Sequence, residues 1–289
     1  MLLLLLVSLV WAFSFGLVKR LGGLDPTAVA TLRLAISLLV FLPFFRPKGL
    51  GAGHVIRLAF IGAVQFGIMY ILYQRSYAHL HAYEVALFTI TTPLFVTLIG
   101  AALEREWRPR YAAAAALSVA GAAVLVLRSF SAPLGDASTL GGFLLVQLAN
   151  LCFAAGQVAW RGERKRLPYG IGDASVFAIP FAAAAATAFA FSLGASNWRG
   201  FSASTEQWLT LLYLGGVASG LCFFLWNKGA TQVNAGVLAA FNNAKIPLGV
   251  AVSIWVFGEK ADLWRLLVGG GLMAAGVWIA GKRDGRVAL

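Results

Sequence analysis

The chain has 289 residues, of which 60% are hydrophobic and only 12% charged. Soluble domains carry about a quarter charged residues, so this balance excludes a soluble enzyme and a disordered chain and makes lipid the solvent. Lys and Arg number 23 against 11 Asp and Glu, a net charge of +12. The basic residues sit between apolar runs, as in cytoplasmic loops of membrane proteins, rather than forming a nucleic-acid surface.

A hydrocarbon core asks for about 20 apolar residues per helix. Ten stretches qualify, near 1–18, 27–45, 55–74, 82–103, 109–127, 140–160, 174–194, 207–227, 235–257 and 262–281. The runs are about twice strand length and do not alternate, which excludes a membrane β-barrel. Met1–Val18 has no basic residue ahead of it and no clear small-residue cleavage site, so it reads as a retained span rather than a signal peptide. The two cysteines, Cys152 and Cys222, lie inside apolar runs and supply neither a disulfide framework nor a metal site.

The first span places Trp11, Ser14 and Phe15 on one face. The second contains Arg33. The third carries Tyr70, Tyr73, Gln74 and Tyr77 at helical spacing, an aromatic stripe with one amide. Tyr77, near the span's edge, suits an interfacial aromatic belt. His79 and His81 follow in a loop, two residues apart and without a third ligand, so no metal is expected.

Glu84 opens the fourth span, where it reads as an interfacial acid or a proton-coupling carboxylate. Pro93, further along, lacks an N–H and clashes with the carbonyl four residues earlier, so it should kink the helix and free the Thr89 carbonyl. The fifth and tenth spans are rich in Ala and Gly and read as peripheral packing; a homodimer face there is left open. The sixth carries Gln147, Asn150, Gln157 and Arg161, a polar stripe that should face inward, to line a cavity or to bond neighbouring helices.

The eighth span offers Phe223, Trp226 and Asn227. The ninth holds Asn242 and Lys245 three apart on one face, then Pro247, a second expected kink. Lys245 lies roughly 12 Å into its span. A charge at that depth costs about 2.5–3.5 kcal/mol on insertion scales and should face protein or a wet cavity. It reads as an anchor for a substrate carboxylate, a charge in a coupling network, or a structural lysine bonded to carbonyls.

The two halves resemble each other. Residues 67–74 match 220–227 at one offset, which pairs Tyr70 with Phe223, Tyr73 with Trp226 and Gln74 with Asn227. Pro93 pairs with Pro247, Glu104 with Glu259 and Gly121 with Gly276. The chain therefore reads as two repeats, 1–130 and 131–289. Five spans is an odd number, so the second repeat must lie inverted in the bilayer, with a substrate site near the midplane between the copies. Lys and Arg in alternate connections divide two to one, the richer set including 46–57, 161–166 and the C-terminal end, which places both termini in the cytoplasm.

These features carry a family likeness. The ten-span, five-plus-five layout resembles the EamA-type drug/metabolite transporter superfamily, through Trp11–Phe15, the Thr-Leu-Arg-Leu-Ala run at 31–35, and the Pro–apolar–Glu runs Pro93–Glu104 and Pro247–Glu259. The resemblance implies a structural role for Arg33 and export rather than import, with relatives that move amino acids and sugar phosphates. The expected fold is an all-α integral membrane protein of ten transmembrane helices in two inverted five-helix repeats, in a bacterial inner membrane. The expected function is secondary transport of small amphipathic metabolites such as amino acids, by alternating access. Importers or exchangers of other organic solutes are the alternative; a non-transporting membrane protein is disfavoured by the buried Lys245 and the paired prolines, and an intramembrane enzyme lacks its nucleophile–base pair. The substrate-binding set is Trp11, Ser14, Tyr70, Tyr73, Gln74 and Thr89 from the first repeat, with Asn150, Gln157, Phe223, Trp226, Asn227, Asn242 and Lys245 from the second. No cofactor is expected. With no phosphate-cradling loop for ATP, the partners are lipid, the substrate, and a proton or exchanged substrate.

Overall fold

A computed structural model describes residues 1–80, 85, 88–104, 108–126, 137–248 and 263–282. Every regular element among these is helical. The chain runs through α1 (Leu2–Val18), α2 (Pro26–Phe41), α3 (Ala52–Gly62) and a π-helical segment, Ala63–Ile68, that continues into α4 (Met69–Ser76). There follow α5 (Thr92–Glu104), α6 (Pro109–Val126), α7 (Ala137–Arg164) and α8 (Ala178–Ala195). Then come α9 (Thr205–Tyr213), a second π segment at Leu214–Leu221, α10 (Cys222–Ala230), α11 (Ala235–Phe241) and α12 (Leu263–Gly281). Five continuous stretches are long and apolar enough to cross a membrane: Pro26–Phe44, Ala52–Ser76, Ala137–Arg164, Asp173–Ala195 and Thr205–Ala230. Shorter apolar helices cover Leu2–Ser14, Thr89–Leu103 and Leu267–Gly281.

Local chemistry sets several boundaries. Asp25 caps α2 by accepting from the Ala28 N–H at 2.7 Å, with Pro26 preset for the first turn. Ser204 and Gln207 form a reciprocal capping box at α9. Asn234 caps α11, and its amide also donates to the Ala280 carbonyl of α12 at 2.8 Å.

Small residues decide the closest crossings. Gly121 on α6 faces the Gly269 carbonyl of α12, and Gly276 faces the Ala114 carbonyl of α6, so any Cβ would press into backbone. The two helices expected to be peripheral thus pack on each other. Gly156 on α7 lies against Gln65 of the first π segment, whose Cβ would overlap an added methyl. The helix pairs α2–α8, α1–α10, α4–α7 and α5–α7 complete the bundle.

The connections gather at two ends. One end holds the Arg20–Glu206 ion pair, 3.0 Å, and the Ser196 hydroxyl donating to Asp25 at 2.6 Å. The other holds Glu163, 2% exposed, which accepts from Arg57 Nε at 2.7 Å and meets His54 Nδ1 at 2.6 Å. Arg164 pairs with Asp173 beside it.

A candidate substrate cavity

Proline chemistry shapes the middle of the bundle, though not as simple kinks. Pro93 falls in the first turn of α5, after a 3-10 turn at Thr89–Thr91. Pro247 falls in a helical turn at 245–248, after turn residues 242–244 that end α11. Both helices are therefore interrupted. The carbonyls that proline frees are met locally: the Thr92 hydroxyl donates to Thr89 O at 2.7 Å, and Ile246 N–H donates to Asn243 O at 3.0 Å. The two breaks touch, since Asn243 Nδ2 donates to the Ile90 carbonyl at 2.9 Å.

The polar stripe of α7 serves these breaks. Gln147 and Asn150 both donate to the Phe88 carbonyl, at 3.1 and 2.9 Å, and Thr91 donates to Gln147 at 2.6 Å. Further along, Gln157 Oε1 accepts from Trp226 Nε1 at 2.9 Å, and Gln157 Nε2 donates to Asn242 Oδ1 at 3.3 Å.

Beside the first break lies a cavity of about 140 Å³. Of the expected residues it gathers Trp11, Ser14, Tyr70, Tyr73, Thr89, Asn150, Phe223 and Lys245. Aromatic walls meet edge to face: Trp11 and Phe223 at 5.6 Å between centroids, Tyr70 and Phe223 at 5.8 Å, Trp11 and Phe153 at 6.3 Å. Trp11 Nε1 is held by the Ala218 carbonyl at 2.8 Å. The Lys245 ammonium lies 5.9 Å from the Trp11 ring centroid. Among the described residues no Asp or Glu lines this space.

Five expected residues are not among the lining. Trp226, Gln157 and Asn242 form the hydrogen-bonded cluster described above, and the Trp226 ring packs tilted against Trp11, 5.1 Å between centroids. Asn227 pairs with Gln65 through two bonds of 2.9 and 3.1 Å. Gln74, expected to face Asn227, is buried outside the cavity. Their two helices run in opposite directions, so Gln74 lies toward the Arg20–Glu206 end and Asn227 toward the His54–Glu163 end, at the depth of Gln65 in the first π segment. Glu84 falls outside the described residues, as do Glu259 and the loop to α7.

Two lining residues were given other roles by the sequence. Tyr77, expected at the interface, lines the cavity and donates to Tyr73 at 3.1 Å. Arg33, expected to be structural, also lines it. Its guanidinium lies 4.9 Å from the Tyr70 centroid and donates to Ser219 Oγ at 3.0 Å. A second intramembrane cation was the available signal, since such residues are functional candidates by default.

The depth of each residue along its helix gives the cavity a floor. Gln65, Gln157, Trp226 and Asn227 each lie nearer the His54–Glu163 end than the lining residues of the same span do. They close that end, while the lining runs the other way as far as Val18 and Tyr77.

Apolar spans with a buried, cation-bearing hollow and interrupted helices beside it define an integral membrane transporter. The EamA-like transporter family model matches residues 1–128 and 140–281, and the chain belongs to that family, whose members are transporters and not enzymes. It is 36% identical over 287 residues to a probable biotin transporter of Pseudomonas aeruginosa, covering 98% of this chain and 99% of that one. It is 35% identical to a biotin transporter of Salmonella typhimurium and 34% identical to one of Escherichia coli, each covering 98% of this chain and 93% of the relative. A solved crystal structure superimposes with a TM-score of 0.76 at 21% identity, over 96% of this chain and 95% of that one, a likeness of fold.

Proposed function

We propose that this transporter carries biotin, or a closely similar amphipathic carboxylate, across a bacterial inner membrane. The observation that carries this reading is charge: the cavity presents Lys245 and Arg33 between aromatic walls, with no acid among its described lining. A monocarboxylate would supply the missing counter-charge, and its apolar body would cover Trp11, Phe153 and Phe223. A zwitterionic amino acid would bring its own ammonium between two cations, so amino-acid export is the weaker reading. The relatives' printed names favour the carboxylate as well.

The carrier would work by alternating access between two inverted repeats, 1–130 and 131–289, making ten spans in all, with both termini cytoplasmic. Support comes from π segments at matching places in the halves, Ala63–Ile68 and Leu214–Leu221, and from paired interruptions before Pro93 and Pro247. The closed floor would then face the cytoplasm. Lys245 would hold the carboxylate, and Ser14, Thr89 and Asn150 would offer hydrogen bonds to polar groups. Glu84 keeps its two readings, an interfacial acid or a proton-coupling carboxylate. Export and exchange differ from uptake only in the gradient supplied.

Purified protein in proteoliposomes is expected to take up labelled biotin, and Lys245→Ala to lower that flux by at least about tenfold, the loss of one charge-assisted contact. Wild-type protein that moves no biotin while moving a zwitterionic amino acid overturns the carboxylate reading.

A further inference from the structure

We propose that Arg33 is a second substrate-binding group. With Lys245 it would make a two-pole site for a ligand with a carboxylate at one end and a neutral urea or amide carbonyl at the other. The proposal deepens the carboxylate-carrier reading and rests on it.

Arg33 is 7% exposed, yet it lines the cavity. A guanidinium has five N–H donors and no acceptor, and a buried one is costly unless those donors are met. Here Ser219 Oγ takes one, the Tyr70 face takes part of the charge, and Nε is buried without a partner. The Tyr70 hydroxyl also meets Ser219 Oγ, at 2.8 Å, so the anchor that aims the fork is itself fixed. A guanidinium kept only for packing would be expected to spend its donors on backbone carbonyls or a carboxylate. This one keeps donors in reserve beside a hollow.

Trp11 touches the surroundings of both poles. Its indole N–H is tied to Ala218, the neighbour of Arg33's anchor Ser219, and its ring faces Lys245. An apolar body lying along Trp11 in this cavity would then have one end for each cation. Lys245, with no hydrogen bond or ion pair among the described residues, suits the full negative charge. Arg33, whose charge is already shared with Tyr70 and Ser219, suits a neutral carbonyl oxygen. Biotin carries these two groups at its opposite ends, a carboxylate and a cyclic urea.

The test is equilibrium binding of biotin, 2-iminobiotin and biotin methyl ester to the full-length protein in detergent. In 2-iminobiotin a cyclic guanidine replaces the urea; near neutral pH it is a cation and no longer offers the carbonyl. Wild type is expected to bind it at least about tenfold more weakly than biotin. Arg33→Gln should shrink that ratio to about threefold or less while leaving the acid-to-ester ratio in place, and Lys245→Gln should do the converse. Ser219→Ala, which keeps the charge but removes its anchor, should shrink the urea ratio in part, and it serves if Arg33→Gln does not fold. A wild type that binds biotin without discriminating against 2-iminobiotin overturns the proposal alone. So does an Arg33→Gln protein whose affinity falls equally for both ligands. A wild type that binds no biotin overturns the carrier reading and this proposal with it.

Discussion

Gln65 and Asn227 close a two-way amide pair across the molecule, with bonds of 2.9 and 3.1 Å between side chains 162 residues apart. Both residues are fully buried, one within the first π segment and the other in α10, which follows the second. The pair belongs to the floor that separates the cavity from the His54–Glu163 end. Opening that end would require it to part.

Breaking the pair from one side should therefore cost more than removing it. Gln65→Leu leaves a buried amide unsatisfied, a loss of about 1–3 kcal/mol, and Asn227→Leu should match it. The double variant should recover part of the loss, because no orphaned group remains. Thermal unfolding of the four proteins in detergent checks the cycle. Strict additivity would mean that the amides act independently.

A methyl group at Gly156 should wedge α7 away from the first π segment, since its Cβ would overlap the Gln65 side chain. Gly156→Ala is expected to destabilise by about 1–3 kcal/mol, the usual cost of overpacking. Gly162→Ala on the same helix has nothing within 4 Å of the new methyl and should be neutral or slightly stabilising. The same unfolding measurement compares them.

The indole N–H of Trp226 is bonded to Gln157 at 2.9 Å below the cavity. Trp226→Phe keeps much of the ring but leaves Gln157 Oε1 without its shortest bond. The expected result is a faster inward-opening step with biotin affinity within about threefold of wild type. Quenched single-turnover flux and equilibrium binding separate the two quantities. A large drop in affinity with flux unchanged would make Trp226 a binding residue instead.

Membrane orientation is open to direct labelling. In a cysteine-free background, Asn197→Cys, beside the Arg20–Glu206 end, should react with an impermeant maleimide in intact cells. Lys165→Cys, beside Glu163, should react only after permeabilisation. The reverse pattern would turn the molecule over and place the closed floor on the outside.

Much of this was written in the chain itself. Sustained apolar runs with few charges dictate lipid-spanning helices, because no other open structure satisfies backbone polar groups in hydrocarbon. Asp25 with Pro26, and Ser204 with Gln207, mark helix starts by local rules alone. Trp11, Tyr70, Phe223 and Lys245 were legible as candidates to line a cavity, because an aromatic stripe and a deep charge are both expected to face inward, although other readings stood beside each. The two prolines marked breaks in the right places, although they interrupt the helices rather than bend them.

What the sequence could not supply was the rotation of one face against another. Gln74 and Asn227 fall at opposite ends of helices that run in opposite directions, so Gln65 rather than Gln74 meets Asn227. Gln157 and Asn242 looked like lining, but tertiary packing turned them on Trp226 and on each other to form the floor. The intramembrane charge of Arg33 marked it as a candidate, but its direction is set by an anchor, Ser219, that lies 186 residues away. Periodicity is a short-range property and specifies which residues share a face. Which faces meet is decided by contacts between distant segments, and only the packed bundle contains them.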